Sequence, residues 1–235
     1  MTDEPDWVAL AGWWRQELAG DPAYTTEITP LVLDLLGDQR ARTVLDVGCG
    51  EGRVMGKLRQ NGVTPIGLEL AESLAMLAVA HGPTVVARLP GIPLANDSVD
   101  AAFSALVLEH LADHEGYFSE TARVVAPGGA LVVVINHPIW TAPGSTPIRE
   151  RDGEVTWRPG EYFSKGWSDE TAGEGKVRFY HRPMETLLGS AADAGWSLQR
   201  LVEKGATAEQ IGEEPGLRGQ EHFPRLLAVR WEKRT

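Results

Sequence analysis

Basic residues are in deficit: 22 Lys and Arg stand against 33 Asp and Glu in 235 residues, a formal net charge of −11. Nucleic acid and anionic membranes both call for a basic footprint, so neither is expected as a partner. Cysteine is nearly absent. Cys49 alone excludes an internal disulfide framework and fits a reducing compartment. Long apolar runs are missing too, and the longest, residues 130–135, is far too short to span a bilayer. The first six residues are acidic and lack the basic n-region of a signal peptide. No His/Cys or Asp-rich pattern has metal-ligand spacing, so no metal is expected. What is present, 43% hydrophobic and 23% charged residues without an internal repeat, suffices for one domain spanning 1–235 with a sizeable core. A soluble, cytoplasmic protein is the expectation.

Against that ordinary background one stretch stands out, Thr43-Val44-Leu45-Asp46-Val47-Gly48-Cys49-Gly50-Glu51-Gly52-Arg53. Residues 43–47 read as a short buried strand with an acid near its end, and a helical pattern opens after Arg53. Glycine between strand and helix lets a ligand touch the backbone, and the helix start offers unpaired N–H groups. The site suits a nucleotide-like ligand. A dinucleotide fingerprint would place glycine where Arg53 stands, and a P-loop would need Lys followed by Ser or Thr; neither is present. Residues 65–69 read as a second strand ending in Glu69, 21 positions after Gly48. A carboxylate there can accept hydrogen bonds from both hydroxyls of a ribose.

VLDVGCGEGR followed by IGLELAESLAML resembles the class I S-adenosylmethionine-dependent methyltransferases. PLANDSVDAAFSALVLEHL resembles the family's fourth strand and following loop, and TARVVAPGGALVVVINHP its helix, Pro-Gly-Gly turn and fifth strand. The likeness is rich in motifs over residues 30–136 and looser to 232. It implies an α/β, Rossmann-like fold with seven mostly parallel strands, helices on both faces and an antiparallel last strand. It also implies S-adenosyl-L-methionine as cofactor. The implied cofactor contacts are Asp46, Gly48, Cys49 and Gly50 in the turn, Glu69 and Leu70 after the second strand, Ala105 and Leu106 after the fourth, and Tyr24 from the N-terminal region. An Asp commonly follows the family's third strand and holds the adenine amino group. Arg88 stands there instead and cannot accept a hydrogen bond, so adenine recognition falls to backbone groups near Arg88 and Leu89.

Before the first strand, Trp7, Leu10, Trp13, Trp14 and Leu18 recur at helical spacing. Gly20-Asp21-Pro22 breaks that helix, and Pro30 opens another ending at Leu36. The aromatic face packs on the sheet, or residues 1–36 form a helical lid that closes over the active site, with Trp14 and Tyr24 as pocket candidates. Residues 71–80 form a helix, 84–87 a third strand, 99–105 a fourth, 113–126 a helix stopped by Pro127-Gly128-Gly129, and 130–135 a buried strand. Residues 138–180 lack clear periodicity but carry Trp140, Trp157, Tyr162, Phe163, Trp167 and Tyr180. A long aromatic segment of this kind reads as a substrate-covering insertion or as a stapled surface loop or dimer contact, with a hairpin turn at Asp152-Gly153. Residues 180–183 start a helix over 184–194, and strands follow over 196–203 and 225–231.

A sulfonium methyl group is already electrophilic, so the protein mainly aligns a nucleophile and excludes water. Where the acceptor carries a proton, His is the natural base near neutral pH. His137, leaving a central strand, is the first candidate, then His181, then His110, with transfer by proximity alone also open. Trp14, Glu109, Trp140, Tyr162 and Tyr180 are the substrate-side candidates. Acidic charge and aromatics favour a neutral or cationic, partly apolar small molecule, taken by a monomer or homodimer. A module that binds the cofactor without transferring is the second reading. A nicotinamide oxidoreductase is the third, and Arg53 counts against it.

Overall fold

The computed structural model describes residues 6–20, 23–39, 42–151, 155–213 and 215–235. In chain order, helices α1 (Trp7–Gly20) and α2 (Thr29–Leu36) precede β1 (Thr43–Val47), α3 (Arg53–Gln60), β2 (Thr64–Glu69), α4 (Glu72–Ala78) and β3 (Thr84–Val86). Then come β4 (Val99–Ala105), α5 (His114–Val124), β5 (Val125–Asn136), α6 (Pro138–Thr141) and the pairs β6 (Thr146–Arg149) with β7 (Val155–Arg158) and β8 (Gly166–Ala172) with β9 (Gly175–His181). Helix α7 (Met184–Asp193), β10 (Trp196–Lys204), α8 (Ala208–Glu213) and β11 (Leu226–Lys233) complete it. The Asp152-Gly153 turn, Asp21 and Pro22 of the helix break, Met1 to Pro5 and the Leu18 side chain lie outside the described residues.

Seven strands form one sheet in the order β10-β11-β5-β4-β1-β2-β3. Strands β3, β2, β1, β4 and β5 run parallel, and β11 is antiparallel to both its neighbours, as the resemblance implied. Both faces are covered, so the central strands are apolar on both sides, with successive residues sent to opposite cores. Leu45 and Val47 of β1 join Leu131, Val133 and Ile135 of β5 beneath α5 and α7, where Tyr117, Phe118 and Leu187 pack. Val44, Phe103, Val132 and Val134 face the other way, against Leu31, Val32 and Leu35 of α2 and Val54 and Leu58 of α3. Pro30 sits in the first turn of α2, where its missing N–H costs nothing.

Two sequence expectations need correction. Helix α5 ends at Val124, and β5 already begins at Val125, so Pro127-Gly128-Gly129 lies inside the strand rather than stopping a helix. Val99 pairs with Val125 and Ala101 with Ala130, so the extra residues bulge out, with Gly128 at φ +75. Tyr180 and His181 close β9 rather than opening a helix, because β9 pairs along its whole length with β8, from Gly166 opposite His181 to Ala172 opposite Gly175. This hairpin carries Val177 and Phe179 onto Leu10, Trp7 and Trp13 of α1. The aromatic face of α1 thus meets the hairpin and, through Ala11 and Trp14, α4 rather than the sheet.

Candidate functional site

The chain runs outward from β1 to β3 and then crosses back to β4, so the strand order reverses between β1 and β4. Ligands of open α/β sheets sit at the carboxyl ends of the strands at such a point. A cavity of about 340 Å³ opens there. Asp46, Gly48, Cys49 and Gly50 from the end of β1 line it, with Glu69 and Leu70 after β2. Arg88 and Leu89 follow β3, and Ala105 and Leu106 end β4. Trp14, Tyr24, His110 and Tyr180 close the wall.

The turn after β1 requires glycine for a reason the structure makes concrete. Gly48 has φ +80, and a Cβ on it would come 2.5 Å from Cγ2 of Val107 in the loop after β4. The two loops touch backbone to side chain, so only glycine fits. Glu69 locks the turn from the other side. Its Oε2 accepts from the Gly50 amide at 2.9 Å, and its Oε1 from the amides of Leu70 and Ala71, each at 2.9 Å. Leu106 has φ 55, an unfavourable conformation for a bulky residue, held by its amide bond to the Val134 carbonyl at 2.8 Å.

Asp46 is 4% exposed, and its carboxyl group has no hydrogen-bond partner among the described residues. Burial, and then Glu69, push its pKa well up. Burial, then the Asp46 carboxylate, raise the Tyr24 phenol, which therefore stays protonated. The Cys49 thiol is pushed up by burial and by the same two acids, so it is not a nucleophile at neutral pH.

The three histidines separate. His110 Nδ1 lies 2.7 Å from the Arg178 carbonyl, which can only accept, so Nδ1 carries the proton. Burial lowers its pKa to about 4, so the ring is neutral and Nε2 holds a lone pair, with no protein partner among the described residues. Trp7 and Phe179 pack on the ring, with centroids 4.8 and 4.7 Å away. His137 and His181 do not line the cavity. His137 caps α6, its Nδ1 accepting from the Ile139 amide at 3.1 Å, and its Nε2 donates to Glu203 at 2.8 Å. His181 is 2% exposed, with Nε2 on the Tyr162 carbonyl at 2.7 Å and Nδ1 beside Thr141.

Of the other substrate-side candidates, Glu109 is buried beside the cavity wall, its Oε1 accepting from the Asn136 backbone amide at 3.0 Å and side-chain amide at 3.2 Å. Trp140 stacks with Trp157, centroids 4.3 Å apart, and Trp157 in turn with Phe223. The Tyr162 hydroxyl accepts from the Met184 amide at 3.0 Å. None of these three lines the cavity. Sequence reasoning missed Trp7 and Arg53 as lining residues. Trp7 shares the helical stripe of Trp14, which was the available signal, and Arg53 forms an ion pair with Glu51 at 2.5 Å.

A glycine turn, an acid after the next strand and a cavity at the strand-order reversal define a nucleotide-type cofactor site in a doubly wound α/β fold. Residues 45–133 match the model of the methyltransferase domain family. A crystal structure of an S-adenosylmethionine-dependent methyltransferase from Mesorhizobium loti is 25% identical, covering 92% of this chain and 100% of that one, with a TM-score of 0.77. A ubiquinone biosynthesis O-methyltransferase from Paracidovorax citrulli is 32% identical over 50% of this chain and 53% of its own length. A geranyl diphosphate C-methyltransferase from Streptomyces coelicolor, whose structure includes S-adenosyl-L-homocysteine, shares the fold at a TM-score of 0.59 and 17% identity, covering 87% and 79% of the two chains. The chain spans about half the length of the curated relatives it matches. Residues 45–133 thus carry a methyltransferase domain, and the chain is similar along most of its length to S-adenosylmethionine-dependent methyltransferases, a family whose cofactor is S-adenosylmethionine.

Proposed function

We propose that this chain transfers the methyl group of S-adenosylmethionine to a small-molecule acceptor held beneath α1 and β9. The observation that carries the reading is the Glu69 node. One carboxylate takes the amide of the glycine turn and two amides of its own loop, so acid and turn face the cavity in a fixed relation. The donor set fits the cofactor. Glu69 would hold the ribose hydroxyls, the backbone of residues 48–50 and the unpartnered Asp46 carboxyl group the amino-acid end, and the backbone of residues 87–89 the adenine. The bound cofactor supplies an electrophilic methyl group.

The chain's own part is alignment and exclusion of water, worth about 7–11 kcal/mol where reacting atoms are well oriented. Trp7, Trp14 and Tyr180 supply apolar walls. This supports reading residues 1–36 as a helical lid within a single domain, while of the 138–180 insertion Tyr180 is the one described residue at the cavity, so its covering role runs through β9. A wall of Trp7, Trp14 and Tyr180 suits a partly apolar acceptor, and the chain's acidic balance, −11 overall, suits a neutral or cationic one better than an anion. His110 accepts a hydrogen bond from the acceptor's O–H or N–H at Nε2. With a pKa of about 4 it is a weak base, so it orients the nucleophile's lone pair more than it removes the proton beforehand. His137 and His181, both bonded through both nitrogens, support the surrounding framework.

Calorimetric titration with S-adenosylmethionine, S-adenosylhomocysteine and NAD tests the reading. Micromolar binding of the two adenosyl ligands, lost in Glu69→Ala, is expected; binding of NAD alone refutes it.

A further inference from the structure

Arg182 lies at the junction of β9 and α7, 7% exposed. Its guanidinium group donates to three backbone carbonyls of one loop, Leu108 at 3.2 Å, Ala112 at 3.0 Å, and Leu111. No carboxylate of the described residues comes within ion-pair distance of it. The acids that act on it, Glu109 and Asp113, do so from farther away. Burying a guanidinium against neutral carbonyls costs desolvation that no contact ion pair offsets. Such a cation is better explained by what its planar fork of donors holds in place than by a gain in stability.

What it holds is the loop that carries His110. Four residues earlier on β9, the Arg178 carbonyl accepts a hydrogen bond from His110 Nδ1–H at 2.7 Å. Phe179, between the two arginines, packs on the His110 ring, and Tyr180, which lines the cavity, has the Arg182 guanidinium 5.5 Å from its ring centroid. One short stretch of β9 therefore sets the loop backbone, the ring plane and the ring's proton.

We propose that Arg182 is a positioning residue, clamping the loop of residues 108–112 so that His110 keeps its proton on Nδ1 and turns Nε2 to the acceptor. Its consequence for transfer rests on the reading of His110 above; the clamp itself is testable without turnover. Long-range proton–nitrogen correlation spectra of ¹⁵N-histidine-labelled protein report the tautomer of each ring. His110 is expected in the single Nδ1–H form between pH 8 and pH 5. In Arg182→Met, His110 is expected to lose that single-tautomer pattern while His137 keeps its Nε2–H form. Arg182→Lys keeps the charge but not the fork, and is expected to give the same loss; it serves as the readout where the Met variant fails to fold. An unchanged His110 signal in the folded variant, or an Nε2–H form in the parent, overturns the proposal. Once an acceptor is in hand, kcat is expected to fall on the order of 100-fold in Arg182→Lys with the KM for cofactor unchanged. Failure of the parent to bind S-adenosylhomocysteine would remove the functional reading and leave the tautomer result standing.

Discussion

Glu109 is 3% exposed, with Oε1 on the two Asn136 amides and Oε2 buried without a partner among the described residues. Burial, only partly opposed by those amides and by Arg182, raises its pKa from 4.5 to about 7. A raised carboxylate pKa means that the native state binds the proton more tightly than the unfolded chain. Stability from this group is therefore complete below about pH 4.5 and lost as the pH rises to about 7, on the order of 3 kcal/mol across that window. Glu109→Gln keeps an oxygen for Asn136 and cannot ionise. Its melting temperature is expected to exceed that of the parent at pH 8 by about 5 °C, with the gap closing at pH 5, in paired thermal scans. Residues differ in how far sequence reaches them. Glu69 is legible because a strand end and a glycine turn bracket it. The ranking of the histidines is not, since His137 leaves a central strand yet its ring turns away to Glu203, 66 residues later. His110 is set by the Arg178 carbonyl, 68 residues away. No local pattern encodes either partner.

At the scale of elements, α1 and the β8–β9 hairpin act as one piece. Leu10, Ala172 and Val177 form a small core of their own, joined by Trp7, Trp13 and Phe179. It stands apart from the two cores that flank the sheet. Trp7→Ala removes a ring that touches both His110 and Trp14 and lines the cavity. Affinity for S-adenosylhomocysteine is expected to fall about tenfold by calorimetry, about 1.4 kcal/mol, while the main unfolding transition moves little. Strands β1 and β4 are plain in the sequence because burial on both faces makes them largely apolar, with Asp46 and Asp100 the charged exceptions. The hairpin escapes notice because one side is wet: Ser168, Asp169, Glu170 and Thr171 interrupt any apolar alternation in β8, and Asp169 is there to meet Arg178 at 2.7 Å. The Pro127-Gly128-Gly129 bulge misleads for another reason, since the same residues that stop helices also break a strand's register.

For the molecule as a whole, the sheet and its attachments differ in how they are held. Strands β1, β4 and β5 sit between two cores, whereas the β6–β7 and β8–β9 pairs are two-stranded ribbons with exposed faces. Native-state hydrogen exchange is expected to show amides of β1, β4 and β5 opening only with global unfolding, and those of the two ribbons opening at lower free energy. Comparable protection in both would contradict this division. No helix among the described residues is long and apolar enough to cross a membrane. The seven-stranded architecture was readable from the ordered motifs, but not the strand order, because pairings such as Leu227 with Ile135 join residues far apart in the chain.

Strand β11 follows β10 in the chain, yet it lies between β10 and β5, bonded to Val132, Val133 and Val134 on one side and to Leu201 and Val202 on the other. During synthesis, which releases N-terminal segments first, β5 leaves the ribosome with that valine edge unpaired until residues 226–233 follow. A nascent chain stalled before that point would present an apolar strand edge to chaperones and to other chains, so β11 acts as a latch over the valine edge of β5.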